Sequence, residues 1–169
     1  EEVSNDWQNI INDPDIDIFV NSGPNHEHGK PSIAAAEAGK HILCEKPLAS
    51  SADEAFEIWK KVTNANVVHM CAFNYRSIPA LNLAKMMIKS GELGEVRHFR
   101  SRFLLNMLPK DNSLSWRFSQ SKAGFGALGD LGSHHIDQAR FLVGEIIRVS
   151  ALTKTWSIDN KKEILDVND

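Results

Sequence analysis

Only two cysteines occur in the 169 residues, Cys44 and Cys71, and both fall inside apolar stretches that read as buried strands. Neither a disulfide framework nor a C-x-x-C zinc spacing is encoded, which fits a reducing cytoplasm. Clustered basic charge is also missing. The formal net charge is -3 and the lysines and arginines are scattered, so nothing suits a nucleic-acid backbone and a small-molecule ligand is expected. No apolar run approaches the roughly 20 residues that span a bilayer, and no charged-then-apolar leader opens the chain, so no membrane contact is expected. Internal repeats and low-complexity tracts are absent too. Glu1 opens the chain without an initiator Met, and Val167-Asn168-Asp169 ends it without a helix stop or closing strand, so the sequence reads as cut at both ends.

What is present is enough apolar material, 42%, for the core of one ordinary domain or parts of two. Residues 6–12 read as the end of a helix closed by Asp13-Pro14. Ile16, Ile18, Phe19 and Val20 then form a short apolar run, expected to be a strand covered on both faces, which ends in the turn Asn21-Ser22-Gly23-Pro24. Residues 26–38 are rich in helix formers, with Gly39 where a left-handed cap is wanted. Residues 41–44 are a strand, and Ser50 or Ser51 caps a helix over 52–63 in which Ala55, Phe56, Ile58, Trp59 and Val62 recur at helical spacing. Residues 67–73 form another apolar strand. Strands alternating with helices through short links predict a parallel sheet with right-handed crossovers, whose functional residues lie past the carboxyl ends of the strands. Beyond Phe73 the pattern changes. An amphipathic helix over 78–89 stops at Gly91, a half-exposed strand is expected over 95–105, a polar loop over 106–124, a helix over 126–143 and a strand over 146–155. The boundary between domains is put at residues 1–75 and 76–169.

Two constellations can carry chemistry. Glu45-Lys46-Pro47 follows the second strand. A turn lysine is commonly just solvated, but this one sits at the ligand-binding edge of a parallel sheet with Pro47 restricting its backbone. The second runs from Gly124 to Asp137. On a helix starting at Ala127, Asp130, His134 and Asp137 are spaced i, i+4, i+7 and share a face, while Leu131, Ile136, Ala139 and Leu142 face the core. A surface pair in which Asp and His merely bond each other has the same spacing. Gly129 and Gly132 cost on the order of 1 kcal/mol each within a helix, which suggests close approach of backbone or ligand there. A metal site is not expected: His134 and Asp130 supply only two ligands, and His26 and His28 lie on another segment without matching spacing.

The run Ala38-Gly39-Lys40-His41-Ile42-Leu43-Cys44-Glu45-Lys46-Pro47-Leu48-Ala49 and the pattern G-x-L-x-D-x-G-x-H-x-x-D over Gly126 to Asp137, together with Phe73-Asn74-Tyr75-Arg76, resemble the glucose-fructose oxidoreductase and inositol dehydrogenase family, Gfo/Idh/MocA. The resemblance covers roughly residues 15–156. It implies an α/β chain: the C-terminal half of a Rossmann parallel sheet followed by part of an α/β domain with an open sheet. NAD or NADP would lie between the two, with oxidation of a secondary alcohol on a sugar, cyclitol or related compound. Carried over by motif, Lys46, Asp130 and His134 are the catalytic residues. Ser22, Pro24, Asn25, His28, Glu45, Lys46, Asn74, Arg76, Trp116 and Arg117 are the cofactor-side residues. In that chemistry His134 takes the hydroxyl proton, Asp130 orients it or bonds substrate, and Lys46 steadies developing alkoxide character. Self-association through the second-domain sheet is a further implication.

The glycine-rich turn G-x-G-x-x-G occurs nowhere in this sequence. The chain is therefore expected to be the central part of a longer enzyme and, taken alone, to bind nicotinamide dinucleotides weakly or not at all. A truncated non-catalytic binding or assembly module, and a nicotinamide-assisted glycosidase or lyase, are the alternatives to a dehydrogenase.

Overall fold

In a computed structural model, which describes residues 3–105 and 116–154, three short strands form one parallel sheet in the order β1 (Ile18–Asn21), β2 (His41–Cys44), β3 (His69–Cys71). Ile18 pairs with His41 and Asn21 with Cys44, while on the other side of β2 Ile42 pairs with His69 and Cys44 with Cys71. Helices α1 (Trp7–Asn12), α2 (Gly29–Glu37) and α3 (Ala52–Asn64) alternate with the strands, giving the α/β parallel arrangement that the sequence predicts. The three carboxyl ends open on one edge, followed by the turns at Ser22, Glu45 and Phe73.

One face of this sheet holds the core. Phe19, Ile42 and Cys44 pack with Ala35 and Ala36 of α2 and Ile58 and Val62 of α3, and Ile11 of α1 joins them. Ile18 and Val20, which alternate with the buried positions, are exposed. The expectation of a strand covered on both faces is thus corrected: among the described residues helices cover one face only. The third strand is also shorter than the predicted 67–73. In α3 the structure buries Ile58 and Val62 but leaves Phe56 and Trp59 largely exposed, their rings 5.6 Å apart.

The helix ends follow local chemistry. Ser51 caps α3 by accepting from the Glu54 amide (3.2 Å), and Glu54 accepts in return from the Ser50 amide (3.1 Å). At the end of α2, Gly39 adopts φ +80, its amide donates to Ala36 and that of Lys40 to Ala35, the paired bonds of a Schellman stop. Lys40 Nζ also donates to the Asp13 carbonyl (2.6 Å), fixing the end of α1.

Beyond β3, a 3-10 turn over Asn74–Ser77 leads into α4 (Pro79–Lys89), with proline at the first helical position, and α5 (Gln120–Ala123) and α6 (Ser133–Leu142) follow. The strands expected over 95–105 and 146–155 are not formed by the described residues. A strand exists only through a ladder, and residues 95–105 and 146–154 have no paired partner among them. The sheet surface expected for self-association is accordingly not built by these residues. Thr155 and loop residues 106–115 lie outside the described portion. The helix expected over 126–143 begins instead as a π turn, Leu128–Gly132, that passes into α6. No helix among the described residues is long and apolar enough to cross a membrane.

Gly124, where α5 ends, also has φ +78, and a Cβ there would run into the Ser50 backbone, whereas one at Gly39 would meet nothing within 4 Å. Gly39→Ala is expected to lose about 1 kcal/mol, from backbone conformation alone. Gly124→Ala is expected to lose at least about 1 kcal/mol more, since the Ser50 main chain cannot yield. Urea midpoints of the two variants decide this; equal losses would show that the approach of the 124 turn to Ser50 carries no energy.

Candidate active site

The loop after β1 is tied down by a side chain that sequence reasoning passed over. Asn21 ends the strand facing inward, and its Nδ2 donates to the carbonyl of His28 (3.1 Å) and to Ser32 Oγ (3.1 Å), while its Oδ1 accepts from the Gly23 amide (3.2 Å). The available signal was the alternation that puts Asn21 on the same face as Phe19. His28, expected beside the cofactor, is 0% exposed. Its Nδ1 lies 2.9 Å from the Pro47 carbonyl and its Nε2 2.8 Å from the Gly23 carbonyl, so the ring joins the β1 loop to the β2 loop from beneath and has no nitrogen left for a ligand.

Above that join lies a cleft of about 410 Å³. Ser22, Gly23, Pro24 and Asn25 line it from the β1 loop, Glu45 and Lys46 from the β2 loop, and Trp116, Arg117 and Asp130 from the later segments. The Lys46–Pro47 peptide is cis. Lys46 Nζ donates to Asp130 Oδ1 (2.8 Å) and to the Asp130 main-chain carbonyl (2.7 Å), with the lysine side chain 14% exposed. Arg117 Nε approaches the other carboxylate oxygen at 3.5 Å, and its guanidinium lies 4.5 Å from the centre of the Trp116 ring. Asn25, itself buried, donates to the Ala123 carbonyl (2.8 Å), a second tie between the same two parts of the chain.

The π turn decides how the motif residues are aimed. A continuous α-helix would put Asp130, His134 and Asp137 on one stripe. The wider turn at Leu128–Gly132 instead sends Asp130 to the cations of the cleft, and no hydrogen bond joins it to His134 among the described residues. The glycines of this turn do accommodate close approach, but by the nearby side chains of Phe125 and Leu128. A Cβ at Gly129 would come within 2.8 Å of Phe125 Cβ, and one at Gly132 within 3.0 Å of Leu128 Cδ1. The expected inward face is also reversed in part: Ile136 is exposed, whereas His134 and Asp137 are buried.

His134 is 8% exposed and caged by rings. Tyr75 stacks on it, centroids 4.5 Å apart and planes 27° from parallel, and Phe73 meets it edge-on at 6.2 Å. Its Nδ1 is buried with no hydrogen-bond partner among the described residues. Burial, then the Lys46 cation, push its pKa below the ordinary imidazole value, against weaker upward pulls from Asp130, Glu45 and Asp137. The neutral ring is therefore the form favoured near neutrality. Cys44 and Cys71 are poor nucleophiles here, burial pushing their thiols up to about 11 and about 12.

Asn74 and Arg76, also expected near a cofactor, lie on the 3-10 turn away from the cleft wall. Asn74 is exposed and its amide donates to Ala72. Arg76 is committed to Asp137 through Nε (2.9 and 3.1 Å) and Nη2 (2.6 Å). This bond raises the arginine's pKa, and it anchors α6 one turn after His134. Its guanidinium and the Lys85 amine, 5.4 and 3.8 Å from the ring centre, also lie over Phe141.

Residues 81–166 match the GFO/IDH/MocA C-terminal domain, and residues 1–73 match the oxidoreductase family's NAD-binding Rossmann fold. The chain belongs to the GFO/IDH/MocA oxidoreductase family. Levoglucosan dehydrogenase from Pseudarthrobacter phenanthrenivorans is 50% identical over 157 residues, 92% of this chain and 40% of that protein. Glucose-6-phosphate 3-dehydrogenase from Bacillus subtilis is 31% identical, covering 88% of this chain and 44% of its own. A solved structure of levoglucosan dehydrogenase in complex with NADH and levoglucosan matches at 50% identity with a TM-score of 0.86, over 90% of this chain and 42% of that one. The chain thus spans well under half the length of these relatives.

Arg76→Ala would strand the buried Asp137 carboxylate. The expected cost is about 2 kcal/mol, less than for a fully enclosed pair because the arginine side chain is 48% exposed. Asp137→Asn, which leaves a neutral amide opposite a cation that water reaches, is expected to cost less. Thermal melting of both variants checks the order, and a larger loss for Asp137→Asn would contradict it.

Proposed function

We propose that the full-length protein is a NAD(P)-dependent dehydrogenase that moves hydride between nicotinamide and a secondary alcohol of a sugar, cyclitol or related compound. The observation that carries this reading is the Lys46–Asp130 pair on the wall of a cleft at the carboxyl edge of a parallel sheet. Residues 1–75 belong on this reading to the nucleotide-binding domain and residues 76–169 to the substrate domain, with the two free thiols suited to a reducing cytoplasm. Likeness to dehydrogenases whose names specify sugars supports the substrate class, and levoglucosan with NAD+ is the first pair to assay.

The cleft's donor set suits the nicotinamide end of a dinucleotide. Main-chain groups of the Ser22–Asn25 loop, the Lys46 amine and the Trp116-Arg117 pair offer donors and a flat aromatic face, while no glycine turn for the pyrophosphate occurs in the sequence. When bound, nicotinamide supplies the acceptor or source of hydride. Everything else falls to protein side chains. An ammonium has three donors, and Asp130 takes two of those on Lys46, which holds the amine rigidly with its third hydrogen available to a substrate oxygen. There the cation steadies negative charge as the hydroxyl loses its proton. Asp130, between Lys46 and Arg117, keeps both cations in place and offsets their charge. His134 accepts the proton at Nε2, since Nδ1 is enclosed, and it is free to accept because its environment disfavours the imidazolium.

His134→Ala in the full-length enzyme is expected to lower kcat by roughly 100-fold, with nicotinamide binding nearly unchanged. Titration of NADH binding beside steady-state kinetics measures both, and unchanged turnover removes His134 from the mechanism.

The pH profile supplies a separate check. With a depressed pKa, His134 stays unprotonated as pH falls until below the free imidazole value of about 6.5, so the acid limb of kcat should lie below that value. Lys46→Met deletes a cation that disfavours protonation, so in its residual activity the limb should move to higher pH. A limb that stays put, or moves to lower pH, would rule out this coupling.

A further inference from the structure

A catalytic histidine is usually oriented by a hydrogen bond to the ring nitrogen that does not react, most often from a carboxylate or a carbonyl oxygen. Among the described residues His134 has no such partner. Its Nδ1 is buried without a partner among the described residues, and the nearby carboxylates are engaged elsewhere: Asp130 with Lys46 and Arg117, Asp137 with Arg76, and Glu45 with the Lys46 amide. What touches the imidazole is aromatic. Tyr75 lies nearly parallel to it at 4.5 Å and Phe73 stands edge-on at 6.2 Å. The Tyr75 hydroxyl makes no hydrogen bond among the described residues, so the contact is through the ring.

We propose that Tyr75 is the positioning residue for His134, its stacked ring doing the orienting that a carboxylate does for most catalytic histidines. The inference rests on His134 acting as the base in the reading above. The turn that carries Tyr75 is itself fixed. Arg76, the next residue, grips Asp137 on α6 one turn after His134, so the segment of the stacking ring is tied to the segment of the stacked ring close to both. A hydrogen bond fixes one atom and leaves the ring free to pivot about it. A face-to-face contact fixes the plane of the imidazole, and with it the direction of the Nε2 lone pair. An aromatic neighbour also adds no charge to the ring. The charged groups that act on His134 are Lys46, which with burial disfavours the imidazolium, and Asp130, Glu45 and Asp137, which favour it more weakly.

The test uses three substitutions in the full-length enzyme. Tyr75→Phe keeps the ring, Tyr75→Leu keeps apolar bulk without a ring, and Tyr75→Ala opens the cage. Tyr75→Leu should lower kcat by about tenfold with KM for the nicotinamide unchanged, the scale of one aromatic pair lost from the transition state, and Tyr75→Phe should restore it. In Tyr75→Ala, where water reaches the imidazole, the acid limb of kcat should move up in pH, and in Tyr75→Phe it should not. Imidazole resonances of His134, identified by their loss in His134→Gln, should show upfield ring-current shifts in the parent and Tyr75→Phe that vanish in Tyr75→Leu. Should Tyr75→Ala fail to fold, Tyr75→Leu decides. Equal kcat in Tyr75→Leu and Tyr75→Phe, or ring-current shifts that survive in Tyr75→Leu, would overturn the proposal. The resonance arm does not need turnover: absent dehydrogenase activity in the parent would count against the proposed function, whereas parent imidazole resonances without an upfield shift would count against Tyr75.

Discussion

The contact of Lys46 Nζ with the carboxylate and main-chain oxygens of Asp130 is the constraint around which this molecule is arranged. It joins the turn after β2 to the π turn that begins the α6 segment, and it forms only if both are in register. The local features on either side serve that meeting. On one side, Asn21 and His28 lash the β1 and β2 loops into one rigid floor. On the other, Gly124 lets the chain pass close against Ser50, and Asn25 holds the Ala123 carbonyl. The ion pair is partly enclosed, so its value lies less in stability than in direction: it fixes where an ammonium points.

A division of labour follows between polar and apolar surroundings. Asp130 sits among cations, where its charge is useful, and His134 sits among rings, where charge is unwelcome. Had the motif formed one continuous α-helix, the two side chains would have been neighbours and the carboxylate would have favoured the imidazolium. The π turn leaves the two without a hydrogen bond among the described residues, and burial first and the Lys46 cation second hold the imidazole below its ordinary pKa against a weaker pull from Asp130.

Much of the sheet and the cleft was legible from residue pattern. Short apolar runs alternating with helix formers specify the parallel arrangement, and Glu45-Lys46-Pro47 at a strand end locates the cleft before any coordinates. What the pattern could not supply were contacts between distant segments. His28 read as a cofactor-side residue through the family resemblance, yet its geometry relative to Pro47 depends on where the second loop lies. Arg76 read the same way, but its partner, Asp137, is 61 residues on. The strands expected over 95–105 and 146–155 failed for a related reason: alternation of apolar and polar residues describes a surface, while a ladder needs a partner. Ile136, read as inward, is exposed because α6 turns its polar side to Tyr75 and Arg76, a reversal that helical spacing alone cannot reveal.

The sequence distances of the site's bonds have a kinetic meaning. β1, β2 and β3 pair through single crossovers, but Lys46 to Asp130 spans 84 positions and Asn25 to Ala123 spans 98. Closing loops of that length is entropically unfavourable until most of the intervening chain is in place. The cleft is therefore a late product of folding. A newly made chain can hold its sheet and helices while its lysine and aspartate are still apart, and the cleft is completed only with the final long-range closures.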